Sequence, residues 1–232
     1  MTVLKELKKL GNKEIALHSQ KFFKTGKGEY GEGDIFLGIR VPVLREFAKR
    51  NHDLEGKKLD NLIASPFHEA RLTGLIILVN QYSKTKDSSE KYRLYKKYIK
   101  SFPYINNWDL VDVTCHKIIG SHLFENDRSI LYKWAQHKNL WIRRISIIST
   151  FYFIKRNELD DSYKLAHILL TDKHDLIHKA VGWVLRECGK KDQKRLKLFL
   201  RKKYSSIHRT TLRYAIEKFS ETERKKILKG HF

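Results

Sequence analysis

Residues 106–114 read NNWDLVDVT, a tryptophan and two aspartates opening a helical pattern in a chain of formal net charge +22. Asn107 is the expected N-cap, and Asp109 falls in the first turn, where the helix dipole favours a carboxylate. Asp112 has no such local explanation. It stands four residues after Trp108, so the two project from one helix face, while Leu110, Val111, Thr114 and Ile118 form the apolar face. A carboxylate in strongly positive surroundings either pairs with a basic residue or meets a cation that arises during a reaction. The second role is electrostatic stabilisation of developing positive charge.

Trp183, in HKAVGWVLRE, follows Gly182 and precedes Arg186 by one turn, a placement that could lay an indole flat on a groove floor. The helix carrying it has counterparts. EARLTGLIIL, IRRISIISTF, IHKAVGWVLR and IHRTTLRYAI each set a basic residue before a run of small and aliphatic residues at helical spacing. The matching cations are Arg71, Arg144, Lys179 and Arg209. The last three are 35 and 30 residues apart, and Arg71 precedes Arg144 by 73, about two repeats. Helix pairs recurring at this period predict an all-α fold, a curved α-solenoid of HEAT-like helix pairs with a basic concave groove. Equivalent positions on successive inner helices would then form a row of cations about 10 Å apart, suited to a phosphate backbone.

The elements that must position these residues are helices. Helical patterns cover 57–64, 67–84, 88–101, 108–123, 128–137, 140–156, 161–171, 175–189, 192–203, 208–219 and 221–229, and no alternating strand pattern stands out. An opening helical segment breaks near Gly11, and Pro42 sits in the first turn of another helix. Asp127, Asn139, Asp161, Asp175 and Asp192 are candidate N-caps. The segment KTGKGEYGEGD (24–34) is a turn-rich loop whose acids, Glu29, Glu32 and Asp34, would repel phosphate. Trp134, in ILYKWAQH, reads as core.

Length and composition fit one domain over 1–232. Lys and Arg total 48 against 26 acids, which points to a polyanionic partner, and the charge is spread along the chain rather than gathered in a tail. Two cysteines within apolar helical patterns exclude a disulfide framework and make a reducing compartment, the cytoplasm, the expectation. The N-terminus shows no signal peptide, and the apolar runs are too short to span a bilayer. Eleven scattered histidines show no HExxH or other ligand spacing, so no metal and no cofactor are expected. Nothing indicates obligate oligomerisation, so a monomer is expected.

Together FFKTGKGEYGEGDIFLGIRVPVLREF, NNWDLVDVT, LWIRRISIIS and IHKAVGWVLRE resemble the AlkD-like DNA alkylation repair glycosylases, in order over about residues 20–190. The resemblance implies cleavage of the N-glycosidic bond of N3- and N7-alkylated purines in duplex DNA by a monofunctional glycosylase. It matches Asp112 to the catalytic aspartate, Trp108 and Trp183 to the groove tryptophans, Arg144 to a DNA-contacting arginine and Arg186 to a second basic contact. The family's aromatic in the first helices finds its nearest match in Phe22, which receives no catalytic role. An alkylated purine is already cationic and leaves without a general acid. The carboxylate then stabilises the oxocarbenium ion on the sugar and orients water. Two rival readings use the same scaffold: a non-catalytic binder of branched or distorted DNA, and a basic-groove scaffold for an acidic protein.

Overall fold

A computed structural model describes residues 2–232. Among them the fold is all-helical, with no named strand and one isolated parallel bridge between Ile35 and Phe67. The chain forms two compact units, one ending at Thr114 and the other spanning Cys115–Phe232.

In the first unit the helices are α1 (Val3–Lys8), α2 (Lys13–Phe22), α3 (Val41–Arg50), α4 (Gly56–Ile63), α5 (His68–Lys84), α6 (Ser88–Lys100) and α7 (Trp108–Asp112). α5 is the axis: α3, α4, α6 and α7 all pack on it, and its residues from His68 to Val79 are buried. A helix apolar on every side belongs in a core. Three ionisable residues, His68, Glu69 and Arg71, lie within that buried stretch, and each needs an internal partner.

Those partners come largely from the glycine-rich segment between α2 and α3. The Glu69 carboxylate accepts from the backbone N–H groups of Leu37 (2.8 Å), Gly38 (2.7 Å) and Ile39 (3.1 Å). It thus caps a turn of FLGIRVP from beneath. Gly38 has φ +79°, and a Cβ there would lie 1.9 Å from the carbonyl oxygen of Asn12, so this turn admits only glycine. Glu29 and Glu32, read from sequence as phosphate-repelling, accept from the N–H groups of Gly26 and Gly28 and fold the loop on itself.

The second unit contains α8 (Ser121–Phe124), α9 (Ser129–Ala135), α10 (Leu140–Ile148), α11 (Phe151–Ile154), α12 (Asp160–Leu169), α13 (Asp175–Lys191), α14 (Gln193–Lys203), α15 (Arg209–Ala215) and α16 (Glu221–Leu228), preceded by a π-helical turn at His116–Gly120. α10 packs on α9 and α13, α12 on α9 and α13, and α13 also on α14 and α15. The second helices of successive pairs, α10, α13 and α15, therefore lie side by side in chain order. Gly182 permits the closest of these approaches, since a Cβ there would meet Tyr214 Cβ at 2.5 Å and Thr211 O at 2.7 Å.

Two helices expected to be continuous are broken. The pattern over 108–123 stops at Asp112, because Thr114 turns its hydroxyl back onto Leu110 O and to Tyr98 Oη (2.7 Å). The pattern over 140–156 divides at Ser149 and Thr150, whose hydroxyls bond Ile145 O and Ile147 O, each at 2.7 Å. Asn139 and Asp192 cap their helices as expected, whereas Leu159 and His174 occupy the cap positions assigned to Asp161 and Asp175.

Two of the positive-φ glycines, Gly28 and Gly38, separate backbone strain from steric clash. Gly28 has φ +79° with open space around it, so Gly28→Ala is expected to cost about 1–2 kcal/mol. Gly38→Ala adds the collision with Asn12 and is expected to cost about 3–5 kcal/mol. Urea unfolding of both variants checks this, and equal losses would contradict it.

Candidate active site

WDLVD forms the short helix α7, and its two aspartates meet different environments. Asp109 is buried, accepting from the N–H of Leu110 (2.9 Å) and, through its other oxygen, from His68 Nε2 (2.8 Å). Asp112, one turn later, is half-exposed, as is Trp108. Asn107 caps the helix, its side chain accepting from Trp108 N at 2.9 Å.

His68, only 1% exposed, is the centre of the arrangement. Its Nδ1 lies 3.0 Å from Asp34 and its Nε2 2.8 Å from Asp109. Carboxylates only accept, so both ring nitrogens must donate, and the ring is an imidazolium. Burial works against that charge. The Coulomb attraction and hydrogen bond of Asp109, with those of Asp34, overcome it and raise the His68 pKa to about 9. For Asp34, burial works to raise the carboxyl, but hydrogen bonds from His68 and Asn106 and the charge of Arg71 hold it below the usual carboxylate value. Arg71, 5% exposed, donates to Asp34, to Asn106 Oδ1 (2.9 Å) and to Ser65 O (3.0 Å). Two cations thus offset two anions, and the cluster joins the glycine-rich loop (Asp34), the start of α5 (His68, Arg71) and the entrance to α7 (Asn106, Asp109).

A ladder of rings runs from this cluster to Trp108. His68 stacks on Phe36 (centroids 4.4 Å apart), Phe36 on Phe23 (5.0 Å) and Phe23 on Trp108 (5.1 Å), with interplanar angles of 18–21°. Phe22 meets Trp108 edge-on at 5.8 Å and is 57% exposed. A large exposed apolar ring against a half-exposed indole makes a platform for a flat or cationic group.

In the second unit, Trp183 is half-exposed on α13 and leans on Phe151, centroids 4.5 Å apart. Arg186, one turn on, pairs with Glu217 and Glu187. The cations aligned by the repeat differ in access. Lys179 is partly exposed and pairs with Asp175 at 2.7 Å, and Arg209 is exposed while donating to Leu228 O at 2.8 Å. Arg144 is 5% exposed and donates to Leu176 O, at the start of α13. With Arg71 also buried, only Lys179 and Arg209 of the four present a solvated charge. Trp141 is buried and Trp134 half-buried. Among the described residues no group of three or more His, Cys, Asp or Glu side chains could hold a metal ion. No helix among them is long and apolar enough to cross a membrane.

The fold is thus all-helical, with a WDLVD helix beside an aromatic platform. The chain matches the DNA alkylation repair enzyme family over residues 3–219, and it belongs to that family. Among solved structures, one described as a predicted DNA alkylation repair enzyme from Enterococcus faecalis shares the fold with a TM-score of 0.71. The superposition covers 91% of this chain and 97% of that one at 18% sequence identity. No curated protein matches the sequence. The chain is thus an enzyme of alkylated-DNA repair, and DNA is its partner.

His68, Asp34 and Asp109 were not assigned to one cluster by sequence reasoning. The available signal was a charged trio, HEAR, opening a helix that is otherwise apolar all round.

The cluster makes stability depend on pH with a definite sign. The folded His68 pKa of about 9 lies above the ordinary value of 6.5, so its contribution is complete below about pH 6.5 and is lost as pH rises through about 9. That contribution is on the order of 3 kcal/mol. Urea unfolding between pH 6.5 and 9.5 should show this decline in the wild type, and His68→Gln should be less stable and nearly flat. A wild type equally stable across the range would contradict the assignment.

Proposed function

We propose that this enzyme is a monofunctional DNA glycosylase that hydrolyses the N-glycosidic bond of cationic N3- or N7-alkylated purines in duplex DNA. The observation that carries this reading is the division of labour within WDLVD. Asp109 is consumed by the His68 cluster, while Asp112 stays half-exposed on the same helix as Trp108. A carboxylate fixed to a helix whose entrance is pinned can hold its place against a developing charge without reorganising.

In this reading the alkylated base leaves as a neutral purine, taking the bond electrons that neutralise its ring. Positive charge passes to the deoxyribose, where Asp112 stabilises it and orients the water that adds to C1′. The face of Trp108 attracts the cationic nucleotide on the scale of about 0.5–2 kcal/mol when water is excluded, and Trp183, half-exposed in the second unit, offers an indole face of the same kind. Phe22 extends the platform beside Trp108. No metal or cofactor takes part in this reading, and the enzyme acts as a monomer in the cytoplasm.

Lys179 and Arg209 are assigned to phosphate contacts, with Arg186 and Arg144 as further basic contacts that must exchange an internal partner for phosphate. Arg71 serves DNA binding indirectly, through the fold of its unit.

Asp112→Asn should retain DNA binding and lose about 10²–10³-fold in rate, the scale of removing one preorganised electrostatic stabiliser. Release of free methylated purine from alkylated duplex DNA measures this. Wild-type release by the variant would end the catalytic assignment, and binding without release by the wild-type enzyme would favour a non-catalytic binder of distorted DNA.

The basic residues give a second contrast. Lys179→Ala should reduce the salt dependence of DNA binding by about one charge and leave the melting temperature unchanged. Arg144→Ala should lower both, because its guanidinium also holds Leu176 O. Salt titrations with melting curves check this, and identical behaviour of the two variants would contradict it.

A further inference from the structure

A cationic groove lies in the first unit, between the C-terminal half of α4 and one face of α6. It measures about 760 Å³ and is built by residues separate from those around Trp108 and Asp112. Arg93, Lys96, Lys97 and Lys100 supply four cations against the single carboxylate of Asp60. Asp60 is committed to Lys97, and Arg93 is held by Glu90, which leaves Lys96 and Lys100 as the cations not matched by a carboxylate in these pairs. Tyr92, Lys96 and Lys100 recur every four residues and so share one helix face, over about 12 Å of rise.

Two tyrosines complete the lining. Tyr92 is 53% exposed, packing along one side against Tyr95 with ring centroids 6.3 Å apart. Tyr104, just after α6, is 43% exposed. These rings stay open to solvent while Ile63, Leu94 and Tyr98 of the same two helices are buried in the core. Two lysines flanked by exposed aromatic rings, with Lys96 Nζ 6.0 Å from the Tyr92 ring centre, suit an unpaired nucleic-acid strand, with phosphates on the ammonium groups and bases on the ring faces. An acidic peptide would use the lysines and leave the tyrosines without purpose. A duplex keeps its base faces stacked and out of reach of the rings.

We propose that this groove binds single-stranded nucleic acid, as a site independent of the proposed glycosylase centre. The test is fluorescence anisotropy of a labelled oligothymidylate with the full chain, over a series of salt concentrations. Tyr92→Ala and Tyr104→Ala should each weaken binding about tenfold, the scale of losing one base–aromatic stack. Lys96→Glu with Lys100→Glu should weaken it further and reduce the salt slope. Because all four side chains reach solvent, melting temperatures should be unchanged, so lost binding reports the surface rather than the fold. Tyrosine variants that bind the strand like wild type would overturn the proposal. Their binding would then describe unspecific attraction to a basic protein. Labelled polyglutamate bound more tightly than the strand, and equally by the tyrosine variants, would assign the groove to an acidic protein instead and would also overturn it.

Discussion

A buried imidazolium needs two acceptors, and in this protein they come from two distant places in the chain. Asp34 closes the glycine-rich loop and Asp109 opens α7, and His68 holds one at each ring nitrogen. Burial alone would strip the ring of its charge, so the charge exists only while both carboxylates are in place. Removing His68 would leave the buried Asp109 carboxylate without its cation, a loss on the scale of about 3–5 kcal/mol. Arg71 and Asn106 extend the same constraint by satisfying the remaining oxygen of Asp34. The loop, the start of α5 and the entrance to α7 are therefore fixed together.

That constraint has consequences for the residues proposed to act. α7 is five residues long and ends where Thr114 bends its hydroxyl back to Leu110, so it has little rigidity of its own. Its orientation is supplied from outside, by Asp109 on one side and by the stacked rings of Phe23 and Phe36 behind Trp108 on the other. In a chain with an excess of 22 positive charges, carboxylates are scarce, and most near this site are spent on structure. Glu69 caps the FLGIRVP turn, Glu29 and Glu32 fold the glycine-rich loop, and Asp34 and Asp109 hold the imidazolium. Asp112 lies half-exposed one turn beyond Asp109, on the helix that carries Trp108.

Helix identity was legible wherever apolar spacing ran long, as over α5, α6 and α13, because burial of one face sets the period. Breaks inside such patterns were not. Ser149, Thr150 and Thr114 interrupt helices through side-chain hydroxyls that a periodicity count does not weigh. The motif WDLVD marked the site, yet the separation of its aspartates depends on His68, 41 residues earlier, and on Asp34, 34 residues before that. Partners so distant in sequence leave no local pattern. The repeated cations show the same limit: aligned positions predicted equivalent roles, but Arg71 and Arg144 are drawn inward by acceptors that only the fold provides, a carboxylate in one case and a carbonyl in the other.

The account rests on His68 being doubly protonated inside the folded protein at neutral pH. The direct measurement is the NMR titration of its ring nitrogens in the intact chain. Both should carry a proton at pH 7, with a transition near pH 9. A His68 ring that is neutral at pH 7, with one nitrogen bare, would remove the clamp that sets Asp109 apart from Asp112.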